Sequence, residues 1–192
     1  MNKGMKLRTT ALLLCALLAP LPALADTPNF KYDWVELGRQ SASPQYGADL
    51  SGPYANVSYT FLSGVQLHAG YGSLDLGAGL TRKDYEVGFT GEDGIGESTD
   101  VFTDLLYLNH RTDTGTGVTT DDGYRLAVGL RHRAWKLLEV DGWLAHNYLA
   151  QGSNELGLGA LVDATSWLAV GFSYAHDSNQ ANTTLLRVRL YF

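Results

Sequence analysis

The chain has 192 residues, of which 18% are charged, and its formal net charge is −6. That acidic balance argues against a nucleic-acid partner, which requires a basic face, and the length favours one domain. The single cysteine, Cys15, excludes an intrachain disulfide and a multi-thiolate metal site.

Lys3, Lys6 and Arg8 precede an apolar run from Thr10 to Leu24 that ends in Ala23-Leu24-Ala25. A positive start, a short apolar stretch and a small-x-small site form a secretory signal peptide, with cleavage expected after Ala25. Pro20 and Pro22 interrupt the run, which is too short for a membrane-spanning helix. Leu14, just before Cys15, is the wrong size for a lipoprotein cleavage site. Residues 1–25 are therefore expected to be removed together with Cys15. Three of the 14 basic residues go with them, so the mature domain, residues 26–192, keeps 11 basic against 20 acidic residues.

From there to the end, apolar and polar residues alternate. In Tyr54–Phe61, Ala55, Val57, Tyr59 and Phe61 share one face, with Asn56, Ser58 and Thr60 on the other. Val65–Gly72, Asp84–Thr90, Tyr124–Arg131, Leu138–Tyr148, Glu155–Val162, Leu168–Tyr174 and Thr184–Phe192 repeat the pattern. Strict period two is a β signal. Two stretches are less regular. The apolar parity of Phe30, Tyr32 and Trp34 switches to Val35 and Leu37, and Leu106 and Leu108 fall on a polar face. The reading gives ten strands, about 29–39, 53–61, 65–73, 83–91, 99–110, 123–133, 137–149, 154–162, 167–176 and 183–192, with eight as the alternative if 83–110 holds one hairpin fewer.

The faces distinguish a soluble sandwich or lipocalin-like barrel from a membrane barrel. The apolar face is uniformly Leu, Val, Tyr and Phe, whereas the other carries Gly, Arg, Asp, Glu, Asn and His. A membrane barrel turns the first face to lipid and the second to its lumen. Tyr71, Tyr85, Tyr107, Tyr124, Tyr148 and Tyr174 take the apolar parity at one end of their strands, and Phe30, Phe61, Phe89, Trp135, Trp167 and Phe192 gather at the other. Two aromatic girdles at two water–lipid boundaries follow. Tight turns at 62–64, 134–136 and 163–166 lie at the end that includes the C-terminus, and longer polar loops, 40–52, 111–122 and 177–182, are expected at the tyrosine end.

On these residues the mature chain resembles the small Gram-negative outer-membrane β-barrel families, with an OmpX/OmpA-barrel-like architecture. The resemblance implies an all-β, closed, antiparallel up-and-down barrel in the cell outer membrane. It also implies that the barrel-assembly machinery reads the last strand. Leu190 and Phe192 match that signal, whereas Arg187 and Leu185 stand where a glycine and a polar residue are usual.

Chemistry is sparsely encoded. His176-Asp177-Ser178-Asn179 looks like the His-x-Ser-Asn signature of the lipid A deacylases, in which His176 would activate Ser178 as a nucleophile. That family has an acidic residue about a dozen positions after the serine, where Leu190 stands here, and a hairpin tip is the simpler account of Asp-Ser-Asn. The five histidines lie on different strands without ligand spacing, so neither metal nor cofactor is expected. Acidic pairs such as Asp84/Glu86 and Glu139/Asp141 share the lumen with arginines, and charge pairing is the simpler account than two-carboxylate catalysis.

The expected lumen network comprises Asp33, Arg125, Arg131, Glu139, Asp141, Arg187 and Arg189. Within it, Asp33 is expected to meet Arg187 or Arg189, Arg131 to stand near Glu139, and Gly129 near Asp141. Small inward residues (Gly70, Gly88, Gly129, Gly157, Gly171) leave room for the long side chains. The expected role is structural or interactive, in the envelope, contacting outer-membrane lipid and lipopolysaccharide, with the lumen largely plugged. A narrow, porin-like channel and a deacylase-like hydrolase are the alternatives.

Overall fold

The computed structural model describes residues 30–44, 49–179 and 181–192. The expected signal peptide, residues 1–25, lies outside the described residues. Ten strands follow in chain order: β1 (Trp34–Pro44), β2 (Leu50–Leu62), β3 (Val65–Gly77), β4 (Leu80–Gly96), β5 (Thr99–Asp113), β6 (Val118–Trp135), β7 (Leu138–Tyr148), β8 (Ser153–Asp163), β9 (Leu168–Asp177) and β10 (Ala181–Tyr191). Each pairs with the next, and β10 pairs antiparallel with β1, so the sheet closes into an up-and-down barrel. The eight-strand alternative is excluded because β4 and β5 are separate strands, paired from Arg82↔Thr112 to Gly96↔Thr99.

The strands are strongly tilted. Partner by partner, Thr60 leads through Gln66, Thr90, Asp104, Ala127, Ala145 and Glu155 to Asp177. Seven sideways steps thus climb from the lower end of β2 to the upper end of β9, the end termed lower being the one that holds Phe30 and Phe192. Such a stagger accompanies a tilt of roughly 35–45° in closed barrels.

Period two determines which residues enter the barrel. Glu36, Gln66, Asp100, Glu139, Ser153 and Arg189 are buried inside, whereas Leu37, Tyr59, Leu67, Val87, Val128, Leu144, Leu158, Val170 and Leu186 stand exposed outside. A water-soluble barrel has the reverse arrangement. The tyrosines are in register on the outer face. Tyr71 pairs with Tyr85, their rings 5.3 Å apart, and Tyr107 with Tyr124, 5.8 Å apart, with Tyr148 next to Tyr124.

Two expectations are corrected. First, β1 begins at Trp34 rather than near residue 29, and Phe30 is buried inside, like Trp34, rather than belonging to an outer girdle. The parity switch at Trp34–Val35 arises because Phe30 and Tyr32 turn in beneath the lumen instead of facing out. Leu106 and Leu108, which the sequence puts on the polar parity, do point inward, at 3% and 7% exposure, so the lumen has an apolar flank. Second, the β5–β6 connection at the tyrosine end is short. Residues 111–113 and 118–122 belong to β5 and β6, with Thr112 opposite Thr119 and Arg111 opposite Thr120. Threonine supports a pleated strand even when both faces meet water. The turn is only Thr114–Gly117, where Thr114 N–H donates to the Gly117 carbonyl (2.9 Å) and Gly115 takes a φ of 76°. At β3–β4 the turn lies between Gly77 and Leu80, with Gly77, Ala78 and Gly79 all at positive φ.

Candidate functional site

The lumen is the candidate site, and short sequence patterns build it. On β6, Leu130-Arg131-His132-Arg133 turns two guanidiniums inward, and on β7, Glu139-Val140-Asp141 turns two carboxylates inward. The β6–β7 register sets Arg131 opposite Asp141 and Arg133 opposite Glu139. The expected register was two residues out, because the ladder shifts between Arg133 and Trp135 at the turn. Side chains nonetheless cross the ladder. Arg131 Nε lies 3.2 Å from Glu139, and Arg131 also reaches Glu92 at 3.4 Å. Gly129 faces Trp143, not Asp141.

Glu139 is the hub. Besides Arg131 it binds Arg133 at 3.3 Å and lies 3.9 Å from Arg189. Arg133 continues to Asp163 at 2.7 Å. Arg189 continues to Glu36 at 3.0 Å, Glu36 to Arg187 at 3.5 Å, and Arg187 to Asp141 at 3.4 Å. Four arginines and five carboxylates therefore form one connected network between β1, β4, β6, β7, β8 and β10.

Asp33 is not part of that network. Its carboxylate accepts from the Thr60 backbone N–H (2.5 Å). Glu36, the residue opposite Arg189, occupies the role expected of Asp33. In the sequence Glu36 shares the parity of Phe30, Tyr32 and Trp34, which reads as lipid-facing, whereas the structure turns Phe30, Trp34 and Glu36 inward.

Below the network the chain itself lies across the lower mouth. Phe30 packs beneath Arg131 and Arg133, whose guanidinium carbons lie 5.6 and 5.3 Å from its ring centre. Tyr32 donates its hydroxyl to Asp100 at 2.5 Å, and Lys31 donates to the Ser166 carbonyl beside the Tyr191 ring. Stacked cations over aromatic faces are well matched in a site with little water.

Above the network lie smaller groups. Arg125 grips Glu155 with two hydrogen bonds, 2.8 and 3.1 Å, and Trp143 Nε1 donates to the same carboxylate. Trp143 lies over Gly157, where a Cβ would collide with the indole, and Glu86 occupies the space a Cβ at Gly70 would need. His68 meets Glu86 at 3.2 Å, and Asn56 touches both. Near the upper mouth, Arg82 holds Asp84 at 2.7 Å and contacts His110 at 2.9 Å, and Asp177 accepts from Ser153 at 2.7 Å. Two cavities, of about 290 and 170 Å³, share Gln40, Tyr54, Glu86, Arg125 and Glu155 in their walls, and Glu36, Glu139, Asp141 and Arg187 of the network also wall the larger one.

Among the described residues, no hydrogen bond joins the deacylase-like His176 and Ser178. His176 Nδ1 meets Asn182 Oδ1 at 2.6 Å, and Ser178 Oγ accepts from the Asn154 backbone N–H at 3.0 Å. His176 points out of the barrel, whereas Asp177 points in. Among the described residues, no group of three or more His, Cys, Asp or Glu side chains is arranged to hold a metal ion. Phe61, Phe89, Trp135, Trp167 and Phe192 are all exposed on the outer face, and β4 continues below Phe89 to Gly96.

No protein-family model matches the chain, and no curated protein matches it in sequence. Solved structures do. The translocator domain of the autotransporter NalP from Neisseria meningitidis superposes with a TM-score of 0.50 at 12% identity, over 97% of this chain and 96% of that one. The KdgM porin gives 0.48 at 10% identity, over 82% and 99%. Ail, the attachment invasion locus protein of Yersinia pestis, gives 0.41 at 10% identity, over 85% and 100%. At these identities the likeness concerns the fold alone: the chain has the fold of outer-membrane β-barrels.

Proposed function

We propose that the mature chain is an integral outer-membrane barrel whose lumen is closed, serving a structural or interactive role in the envelope rather than bulk permeation. The observation that carries this reading is the Glu139-centred network, sealed underneath by Phe30 and Tyr32. An ion crossing the lumen would have to part several paired, largely buried charges in a low-dielectric setting, where removing one partner costs about 3–5 kcal/mol. The exposed belt of Leu, Val and Phe supports membrane insertion, because apolar surface of that extent is unfavourable in water and belongs against lipid. The tyrosine rows and the lower Trp and Phe residues serve as the two boundary girdles. In this reading residues 1–25 direct export and are cleaved, the assembly machinery reads Leu190 and Phe192, and the upper rim meets lipopolysaccharide.

A planar bilayer measurement tests the closed lumen. Wild-type protein is expected to give no steady channel current, and a stable, large conductance in every insertion would overturn the reading. The narrow channel is the second reading, supported by the two adjoining cavities, the larger of which reaches into the network itself. Carboxylates outnumber guanidiniums along the cavity walls, so a channel of this kind would favour cations over anions. A hydrolase acting through His176 and Ser178 has no such support, because no hydrogen bond joins the two side chains.

A further inference from the structure

The cations outside the lumen are few and are not spread evenly. Six arginines line the lumen, Lys31 lies at its lower mouth and Lys136 sits in the β6–β7 turn. The other cations of residues 26–192 are Arg39, Lys83 and Arg111, all exposed on the outer face in its upper part. Lys83 and Arg111 are direct partners in the β4–β5 ladder. Side chains so placed have Cβ atoms about 5 Å apart, and like charges directly opposite each other are destabilising. Among the described residues neither takes part in an ion pair. The nearest acids on that face are Asp113, two residues along β5 from Arg111, and two more on the diagonals. Asp75 is set beside Lys83 through Ser73 and accepts from the Gly77 N–H, and Asp122 is set beside Arg111 through Thr120. Arg39, three strands away, donates to Ser51. The opposite side of the barrel, from β7 to β9, places His146 and His176 at this height and no Lys or Arg.

The surface beneath the pair explains why two cations are placed side by side. One step down each strand stand Tyr85 and Asn109, then Val87 and Tyr107, then Phe89 and Leu105, all on the outer face and paired across the same ladder. The order is two cations, a phenol layer, then hydrocarbon. An anionic lipid has the same order, with its phosphate outermost and acyl chains below.

We propose that Lys83 and Arg111 form a binding site for the phosphorylated headgroup of an outer-leaflet lipid of the lipid A type, its acyl chains lying along Val87, Phe89 and Leu105. Arg111 offers the paired donors that suit a phosphate, and Lys83 adds a compact charge. The anion removes the repulsion within the pair. This site rests on the reading of the chain as an outer-membrane barrel.

The test uses the purified mature protein in detergent, with native mass spectrometry to count retained lipid. The probes are phosphorylated lipid A, enzymatically dephosphorylated lipid A and inorganic phosphate as competitor. Wild type is expected to retain phosphorylated over dephosphorylated lipid A by at least about tenfold, a preference worth roughly 1.4 kcal/mol. The K83A/R111A variant should lose that preference and K83R/R111K should keep it. Equal retention of the two lipids, or an unchanged preference in K83A/R111A, overturns the site. Displacement of the lipid by millimolar inorganic phosphate would assign the pair to a free anion and equally overturn the lipid proposal. Gel mobility of boiled and unboiled samples is read on the same preparations. Identical mobilities reject the barrel reading itself, whereas a heat-modifiable barrel without lipid preference rejects only this site.

Discussion

Glu139→Gln is the sharpest probe of the lumen. The substitution keeps shape and removes one charge from a side chain only 4% exposed. Arg131, Arg133 and Arg189 each lose a partner, at 3.2, 3.3 and 3.9 Å. Each keeps another: Glu92 at 3.4 Å, Asp163 at 2.7 Å and Glu36 at 3.0 Å. Breaking a buried pair outright costs about 3–5 kcal/mol, whereas an exposed pair is worth about 0–1 kcal/mol. Because no arginine is left alone, the expected loss is about 2–3 kcal/mol, below the full buried value. Equilibrium unfolding by guanidinium in lipid vesicles measures it, followed by band mobility on unboiled gels. The Arg131→Met variant and the double mutant complete the cycle, with an expected coupling of about 1–2 kcal/mol and the double mutant less destabilised than the sum. Single losses below about 1 kcal/mol that simply add would refute a plugged core, because water-filled lumens screen such pairs to that level.

Other outcomes follow from the same geometry. Phe30→Ala combined with Tyr32→Ala should raise the frequency of cation-selective current steps in planar bilayers; unchanged silence would place the seal in the arginine network alone. Gly157→Val should force Trp143 off its seat and away from Glu155, lowering the unfolding free energy by about 1–3 kcal/mol, as overpacking usually does, with the loss and tryptophan fluorescence read in the same titration. Ser178→Ala and His176→Ala should leave the lipid A mass spectrum of expressing cells identical to that of wild type, and loss of an acyl chain with wild type alone would revive the hydrolase reading.

The alternation carried most of the fold. Val57, Tyr59 and Phe61 against Asn56 and Ser58 can be placed without coordinates, because lipid and lumen impose opposite demands at successive residues. That logic weakens wherever both faces share a solvent. Arg111–Asp122 reads as a loop since water bathes both sides of the hairpin, and only the Thr pairs across it betray a strand. It weakens again at Phe30 and Tyr32, where an apolar side chain can satisfy itself against guanidiniums inside as well as against lipid outside. Leu106 and Leu108, by contrast, follow the polar parity inward despite their apolar side chains. The arginines and acids of the lumen could be named from parity, but their pairing required register. A single shift near Trp135 moved Asp141 opposite Arg131. Glu36 displaced Asp33 as the partner of Arg189 because β1 begins at Trp34, later than its apolar pattern suggests.

The contact of Glu36 with Arg189 and Arg187 has a consequence for how the barrel is completed. Glu36 and Arg189 are 153 positions apart in sequence, and they meet only when the first strand finds the last. Backbone hydrogen bonds alone cannot distinguish one alignment of those two edges from another. Slipping by one residue would turn Arg189 outward to lipid and Val188 inward, a fault the bilayer would reject. Slipping by two keeps the faces correct, so apolar patterning is blind to it. One such slip would set Arg189 against Gly38 and Glu36 against Tyr191; the other would keep Glu36 facing Arg187 but strand Arg189 against Trp34. The ion pairs at the seam therefore act as a latch that recognises its own alignment, so the final zippering step proofreads itself.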